Sequence, residues 1–376
     1  MELSPREALI TLNLIPGLGS VRIQSLLEFF GSAELALAAP AQILEQVPRI
    51  GARLARAIAG WRDCTNVHAE LACAAEHGVR IVTILDADYP AALRRMGDPP
   101  IALYMRGEYL QTDADRSVAI VGTRAATPYG MTLARRFGRE LADAGCTIIS
   151  GLARGIDTAG HWGALDAGGR TLAVMGCGLA TIFPQENEEL AERICHGHGA
   201  LVSEFPMTMR PGRTTFPQRN RIVAAWSKAV LVAEAPARSG ALHTAGIAAD
   251  YYGCSVFAIP GQADRPASAG CHALIRDGAI LCTCPQELLL DMQWRNGPRQ
   301  LELFETESDA EPTISRHPVD CADKVAILAA IAAGHDTLDA LCCALGQNAM
   351  QLTPQLMRLQ IERALLPLPG GRYSCC

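Results

Sequence analysis

Thr147-Ile148-Ile149-Ser150-Gly151-Leu152-Ala153-Arg154-Gly155-Ile156-Asp157 decides the fold. A short β-branched run ends in a turn with two glycines around an arginine, and a helical pattern begins directly after it. A strand, a glycine loop and a helix in that order form half of a βαβ unit. The same order recurs at Val121-Gly122-Thr123-Arg124, after the apolar run Ser117–Val121. It recurs again at Met175-Gly176-Cys177-Gly178-Leu179-Ala180-Thr181, after Thr171-Leu172-Ala173-Val174.

Outward from these loops, strands are expected at Arg80–Leu85, Ser117–Val121, Thr147–Ser150, Thr171–Met175, Ala200–Ser203, Ala229–Ala233, Ser255–Ile259 and Ala279–Leu281. Helices are expected near 130–144, 157–168, 187–197, 217–226, 241–252, 271–277 and 285–293. Alternation of this kind predicts an α/β fold with a doubly wound parallel sheet. Ligands of such sheets sit in the loops at the carboxyl ends of the strands. The sheet domain is expected over 78–293 and a helical domain over 1–77. Within the latter, Leu14-Ile15-Pro16-Gly17-Leu18-Gly19 and Val47-Pro48-Arg49-Ile50-Gly51 resemble helix-hairpin-helix turns, the second with Arg49 in place of the first glycine. Such turns bring backbone N–H groups to a DNA phosphate, or else serve only to pack helices. Residues 294–318 read as an acidic linker: Leu301–Glu311 holds five acids and no base. Residues 319–376 read as three helices and a short hairpin, the outline of a winged helix, with the third helix starting near Thr353-Pro354.

The chain has 376 residues and a formal net charge of −6, which at face value argues against nucleic acid. The distribution says otherwise. Arg116–Arg139 carries five arginines and no acid, and Phe205–Lys228 carries four arginines, Lys228 and no acid. Such runs serve either as solvated faces or as a local anion site on an acidic protein. Lysine occurs only at Lys228 and Lys324, and neither sits in a Gly-Lys-Ser/Thr setting, so a P-loop NTPase is excluded. The 14 cysteines include no Cys-x-x-Cys, so neither a zinc site nor another metal or cofactor is expected. No signal-peptide pattern opens the chain and no run of 18 apolar residues occurs, so a reducing cytoplasm and no membrane are expected.

The candidate residues lie in the loops. Gly122 lets the backbone turn, while Thr123 and Arg124 offer a hydroxyl and a fork of donors. Ser150, Gly151, Arg154 and Gly155 form the second loop. Asp157 suits a helix N-cap, and with His161 it reads either as an acid–base dyad or, preferably, as a brace of the helix start. The third loop fails as a dinucleotide fingerprint because Thr181 replaces the last glycine and Pro184 follows. Cys177 reads as a small buried thiol. In Phe216-Pro217-Gln218-Arg219-Asn220-Arg221 two arginines near a helix start oppose its dipole, which hints at an anion. Ser239-Gly240 opens a further helix, and His243 reads as a polar contact.

These motifs, with Ser203-Glu204-Phe205-Pro206 and Phe257-Ala258-Ile259-Pro260-Gly261, resemble the DNA-processing protein A family (DprA, also called Smf) over roughly 80–290. The resemblance implies an extended Rossmann-like sheet domain with an N-terminal helical (SAM/helix-hairpin-helix-like) domain and a C-terminal winged helix. It implies no catalysis, homodimers, single-stranded DNA as ligand and delivery of that DNA to RecA in natural transformation. It implies phosphate contacts at Gly122, Thr123, Arg124, Arg219 and Arg221, a further contact at Lys228, and donors at Ser239 and Gly240. The DNA-binding set read from the loops is completed by Ser150, Gly151, Arg154, Gly155 and Asn220. Three positions depart from the family pattern: Gly160, His243 and Gly270-Cys271-His272, where His272 is expected to replace an asparagine. The competing class is a nucleotide-processing enzyme of phosphoribohydrolase type, for which Glu204 and Glu234 are the candidate carboxylates.

Overall fold

The structure, a computed structural model, describes residues 3–294, 321–361, 364–368 and 372–375. Most of the linker expected over 294–318 lies outside them. They fall into two compact units that divide at residue 300.

The first unit opens with helices α1 (Pro5–Leu14), α2 (Ser20–Phe30), α3 (Ala33–Ala38), α4 (Ala41–Leu44), α5 (Ala52–Ala59), α6 (Trp61–Cys64) and α7 (Val67–Glu76). Ser4 and Glu7 form a capping box that starts α1. The two hairpin-like turns share one geometry. Gly17 has φ 83° and Arg49, at the matching place, has φ 68°, so Arg49 accepts the left-handed conformation at a cost of about 1 kcal/mol. Gly19 and Gly51 then cap α2 and α5. Arg22 joins the turns by donating to the carbonyls of Gly17 (2.7 Å) and Arg49 (3.2 Å).

The sheet has nine strands among the described residues: β1 (Val79–Thr83), β2 (Ala102–Gly107), β3 (Ser117–Val121), β4 (Thr147–Ser150), β5 (Thr171–Val174), β6 (Gly199–Ser203), β7 (Ala229–Val232), β8 (Ser255–Ala258) and β9 (Ile280–Leu281). Their order is β1-β2-β6-β5-β4-β3-β7-β8-β9. From β6 to β9 every pair is parallel. The expectation of a wholly parallel sheet is corrected at one edge, where β1 and β2 run antiparallel. β2 was not expected; it follows Pro99-Pro100 and pairs antiparallel with β1, with only the four-residue helix Ala91–Arg94 between the two strands.

The helices of the sheet region are α8 (Ala91–Arg94), α9 (Pro128–Asp143), α10 (Ile156–Asp166), α11 (Glu188–Arg193), α12 (Thr215–Trp226), α13 (Gly240–Tyr252), α14 (Ala269–Arg276) and α15 (Pro285–Asp291). β3 to β7 are buried along their whole length, as expected of parallel strands covered on both faces. One face packs residues of α12 and α13 such as Ile222, Trp226 and Ala245. The other packs residues of α9 and α10 such as Phe137, Leu141 and Ile156. Glycines bring α9 and α10 together: a Cβ on Gly163 would lie 2.2 Å from the Arg135 carbonyl, and one on Gly138 would lie 2.3 Å from that of Gly160. The N-terminal helices belong to the same compact unit; Glu70 of α7 accepts the Met207 N–H at 2.7 Å.

The second unit holds α16 (Cys321–Ala332), α17 (Leu338–Leu345), α18 (Ala349–Ile361) and an antiparallel hairpin of β10 (Leu365–Leu368) and β11 (Arg372–Cys375). The third helix starts four residues before the expected Thr353-Pro354. The Asn348 carbonyl accepts the first helical bond from Leu352, and Thr353 turns its hydroxyl back to the Ala349 carbonyl (2.7 Å) instead of capping.

Candidate nucleic-acid interface

Three loops meet at the carboxyl ends of β3, β4 and β7, and the backbone stitches them together. The Thr123 N–H donates to the Glu234 carbonyl (2.8 Å), and the Thr123 carbonyl accepts from Ile156 (3.3 Å). Glycine is required where they touch. A Cβ on Gly122 would lie 2.7 Å from the Glu234 carbonyl, and one on Gly155, at φ 77°, would lie 2.4 Å from that of Thr123. Ser150 is fully buried and donates to the Ile120 carbonyl (2.6 Å). These residues build the floor with groups already spent on the protein.

Asp157 is a brace, though not by capping: Gly155 is the N-cap of α10. The Asp157 carboxylate accepts from the N–H groups of Gly151 (3.1 Å) and Ala153 (3.4 Å). His161 does not pair with it. Its Nδ1 lies 2.6 Å from the Thr171 hydroxyl. Burial, with the Arg219 charge in support, pushes its pKa down to about 3.

Arg219 and Arg221 part company. Two residues apart on a helix means about 200° of rotation, so they cannot share a face. Arg219 is 4% exposed and turns inward, donating to the Val174 carbonyl (2.8 Å) across the face of Gly151. Its Nε is buried without a partner. Burial lowers its pKa, the Asp157 charge opposes this, and Arg124 adds repulsion. Arg221 points the other way, into an ion pair with Glu204 and a hydrogen bond to the Asp98 carbonyl (2.7 Å). The sequence reading of two free cations at the start of α12 is corrected accordingly. Asn220, between them, is half-buried.

Arg154 is exposed but held by Glu186 (2.7 Å). Lys228 sits at the other end of the sheet. Its N–H donates to the Ser117 carbonyl at the start of β3, about 16 Å of strand away from the loop that follows β3. Ser239 caps α13 by accepting from Ala241 (3.3 Å), and Gly240 and His243 are exposed. His272 braces the Pro260-Gly261 turn, its Nε2 lying 3.1 Å from the Gly261 carbonyl. Glu204 and Glu234, the candidate catalytic carboxylates, are both occupied: Glu204 by Arg221, and Glu234 by the N–H and hydroxyl of Thr127, each at 2.7 Å.

Arg124 is the exposed cation that remains at the centre. Its guanidinium lies over the Phe216 ring, 4.6 Å from the centroid. Phe216 covers Gly176, and Phe183, 42% exposed, lies 6.2 Å from it. The sequence reading passed over both aromatic rings as site residues. The available signal was Phe-Pro after a glycine loop, found at both Phe183-Pro184 and Phe216-Pro217.

The sequence model for DNA recombination-mediator protein A matches residues 80–293, more than half of the chain. The chain belongs to the DNA recombination-mediator protein A family. Among its relatives, Protein Smf of Synechocystis is 32% identical over 394 residues, covering 96% of each chain. DNA processing protein A from Streptococcus pneumoniae has a similar solved structure, with a TM-score of 0.65 and 32% identity over 77% of this chain and 99% of that one. The structure reporting the single-stranded DNA binding mode of DNA processing protein A from Helicobacter pylori is similar at TM-score 0.50 and 30% identity, over 57% of this chain and 96% of that one. For this member of the family, no helix among the described residues is long and apolar enough to cross a membrane.

Proposed function

We propose that this protein binds single-stranded DNA at the loops after β3, β4 and β5 and mediates recombination without catalysis, delivering the strand to RecA in natural transformation. One observation carries the reading: an exposed arginine stacked on one aromatic ring, with a second exposed ring beside it, above a floor of glycines. Cations for phosphate and rings for bases are what sequence-tolerant single-strand binding requires. Arg124 is the primary phosphate contact, and the exposed Gly240 at the start of α13 is a second. Arg219 supports from below as a buried positive charge. Lys228 belongs to a separate surface and is reached only by a strand that continues past the sheet edge.

A homodimer is supported by the edge strand β9, whose Ile280 and Leu281 are 37% and 48% exposed. An apolar strand edge invites pairing with a second copy. The three helices and hairpin of the C-terminal unit support a winged helix. With four bases against five acids over 319–376, a protein contact suits it better than duplex DNA. The cytoplasm is the matching compartment. Gel shifts of single-stranded and duplex DNA, with the intact protein and Arg124→Ala, test the central reading. Preference for single strands that is lost in the variant supports it, and equal binding by both proteins overturns it.

A further inference from the structure

A cavity of about 510 Å³ opens at the carboxyl ends of β7 and β8, lined also by Thr127–Tyr129 at the start of α9. It lies where the strand order reverses, because β3 continues to β4 on one side and borders β7 on the other. Crevices at such switch points are the usual ligand sites of open α/β sheets. Its volume suits a nucleoside-sized ligand.

The lining says which part of a nucleotide fits. Pro128, Tyr129 and Pro260 supply apolar walls. Tyr129 is 51% exposed, yet its hydroxyl donates to the Pro260 carbonyl (2.8 Å), which pins the ring as a fixed stacking face. Glu234 and Ser268, both buried, also line the cavity. Each oxygen of the Glu234 carboxylate takes one bond from Thr127 and keeps acceptor capacity. A buried carboxylate repels phosphate and attracts N–H donors. Arg265 is exposed at the cavity and hydrogen-bonded to Gln262 (2.8 Å).

We infer that this cavity takes an amino-bearing nucleobase, guanine first. Guanine sets two adjacent N–H donors against the two carboxylate oxygens, whereas thymine has no amino group and would bring carbonyl oxygens toward the carboxylate. Thr127 lies three residues after Arg124, at most about 11 Å along the chain, so one strand can touch both. The inference rests on the single-strand reading and adds to it: phosphates are gripped without regard to sequence, and one base is read.

The test uses the full-length protein, a labelled oligo-dT, and the same oligomer with one central dG, read by fluorescence anisotropy. Free guanosine and thymidine are compared in parallel by saturation-transfer NMR. A single dG should tighten binding roughly tenfold. Tyr129→Ala, at an exposed position, should abolish that gain and leave oligo-dT affinity unchanged. Glu234→Gln, which replaces one acceptor with a donor, should reduce the gain. If oligo-dT binds through Arg124 but dG gives no gain, the inference falls and the single-strand reading stands. A gain that survives Tyr129→Ala also overturns it. If no oligonucleotide binds, the single-strand reading falls. Guanosine binding with selectivity over thymidine in that case supports the cavity with a free nucleoside as its source.

Discussion

Arg219 occupies the space in front of Gly151: a Cβ added to that glycine would lie 1.4 Å from the arginine Nη1. The Arg219 charge also acts through space on buried Asp157, favouring its ionised form against burial, and that carboxylate holds the Gly151 and Ala153 N–H groups. The glycine, the acid and the arginine therefore stand or fall together. Gly151→Ala must push the arginine out of its slot, and overpacking of this kind costs about 1–3 kcal/mol. A urea titration checks this; an unchanged midpoint would show that the arginine moves aside freely.

Arg219→Met removes the buried charge that favours ionised Asp157, together with the hydrogen bond to the Val174 carbonyl, and should lower stability. Asp157→Asn in the same chain removes the buried acid and keeps an acceptor for the backbone. The double variant should be more stable than Arg219→Met alone. Thermal unfolding of the four proteins of the cycle reads this coupling, and simple additivity would refute it.

Arg124→Ala touches no buried group, so melting should shift little while single-strand affinity drops. With about 3–5 phosphates neutralised per subunit, log K should fall against log salt with a slope of roughly −2 to −3.5. Removing Arg124 should make that slope shallower by about 0.7. Anisotropy titrations at several salt concentrations measure both; a flat response in the parent protein would rule out the phosphate grip.

Two buried groups oppose each other in the pH dependence of stability. His161 has a folded pKa of about 3, below its ordinary value of 6.5. It binds protons only when unfolded over that range, so its contribution is lost as the pH falls below 6.5. Burial pushes Glu204 up to about 7 from 4.5, against the pull of Arg221. The folded state holds that proton longer, so stability is lost as the pH rises from 4.5 to 7. Between about 4.5 and 6.5 the two slopes offset. Glu204→Gln should expose the loss on acidification, and His161→Gln the loss on raising the pH. Urea midpoints at pH 5 and pH 7 distinguish the variants.

Ile280→Lys with Leu281→Lys places charge on the β9 edge. If the proposed β9 homodimer forms, the parent should elute as a dimer and the double variant as a monomer, with single-strand binding by each subunit retained. Light scattering after size exclusion decides it; an unchanged mass would move the interface elsewhere.

The parallel strands were legible because burial on both faces leaves short apolar, β-branched runs that end at glycines. β3 and β4 begin and end where the sequence reading placed them. β2 was hidden because its partners run antiparallel and its start is marked by prolines, with only the four-residue α8 before it. At the site, the loops were legible from glycine and arginine, but the direction of each arginine was not. Whether a guanidinium faces solvent or the sheet depends on helix phase, which separates Arg219 from Arg221. It also depends on acids remote in sequence, such as Asp98 and Glu204. Phe183, in the segment after β5, and Phe216, in the first turn of α12, lie far apart in sequence and come together only in the fold.

The Thr123 backbone bridges two neighbouring loops, its N–H donating to Glu234 and its carbonyl accepting from Ile156. A platform stitched through backbone has little freedom left to lose when something lands on it. The ordering entropy of association then falls mainly on the nucleic acid, so stiffer strands with stacked bases and floppy ones should differ in affinity even where their phosphates make identical contacts.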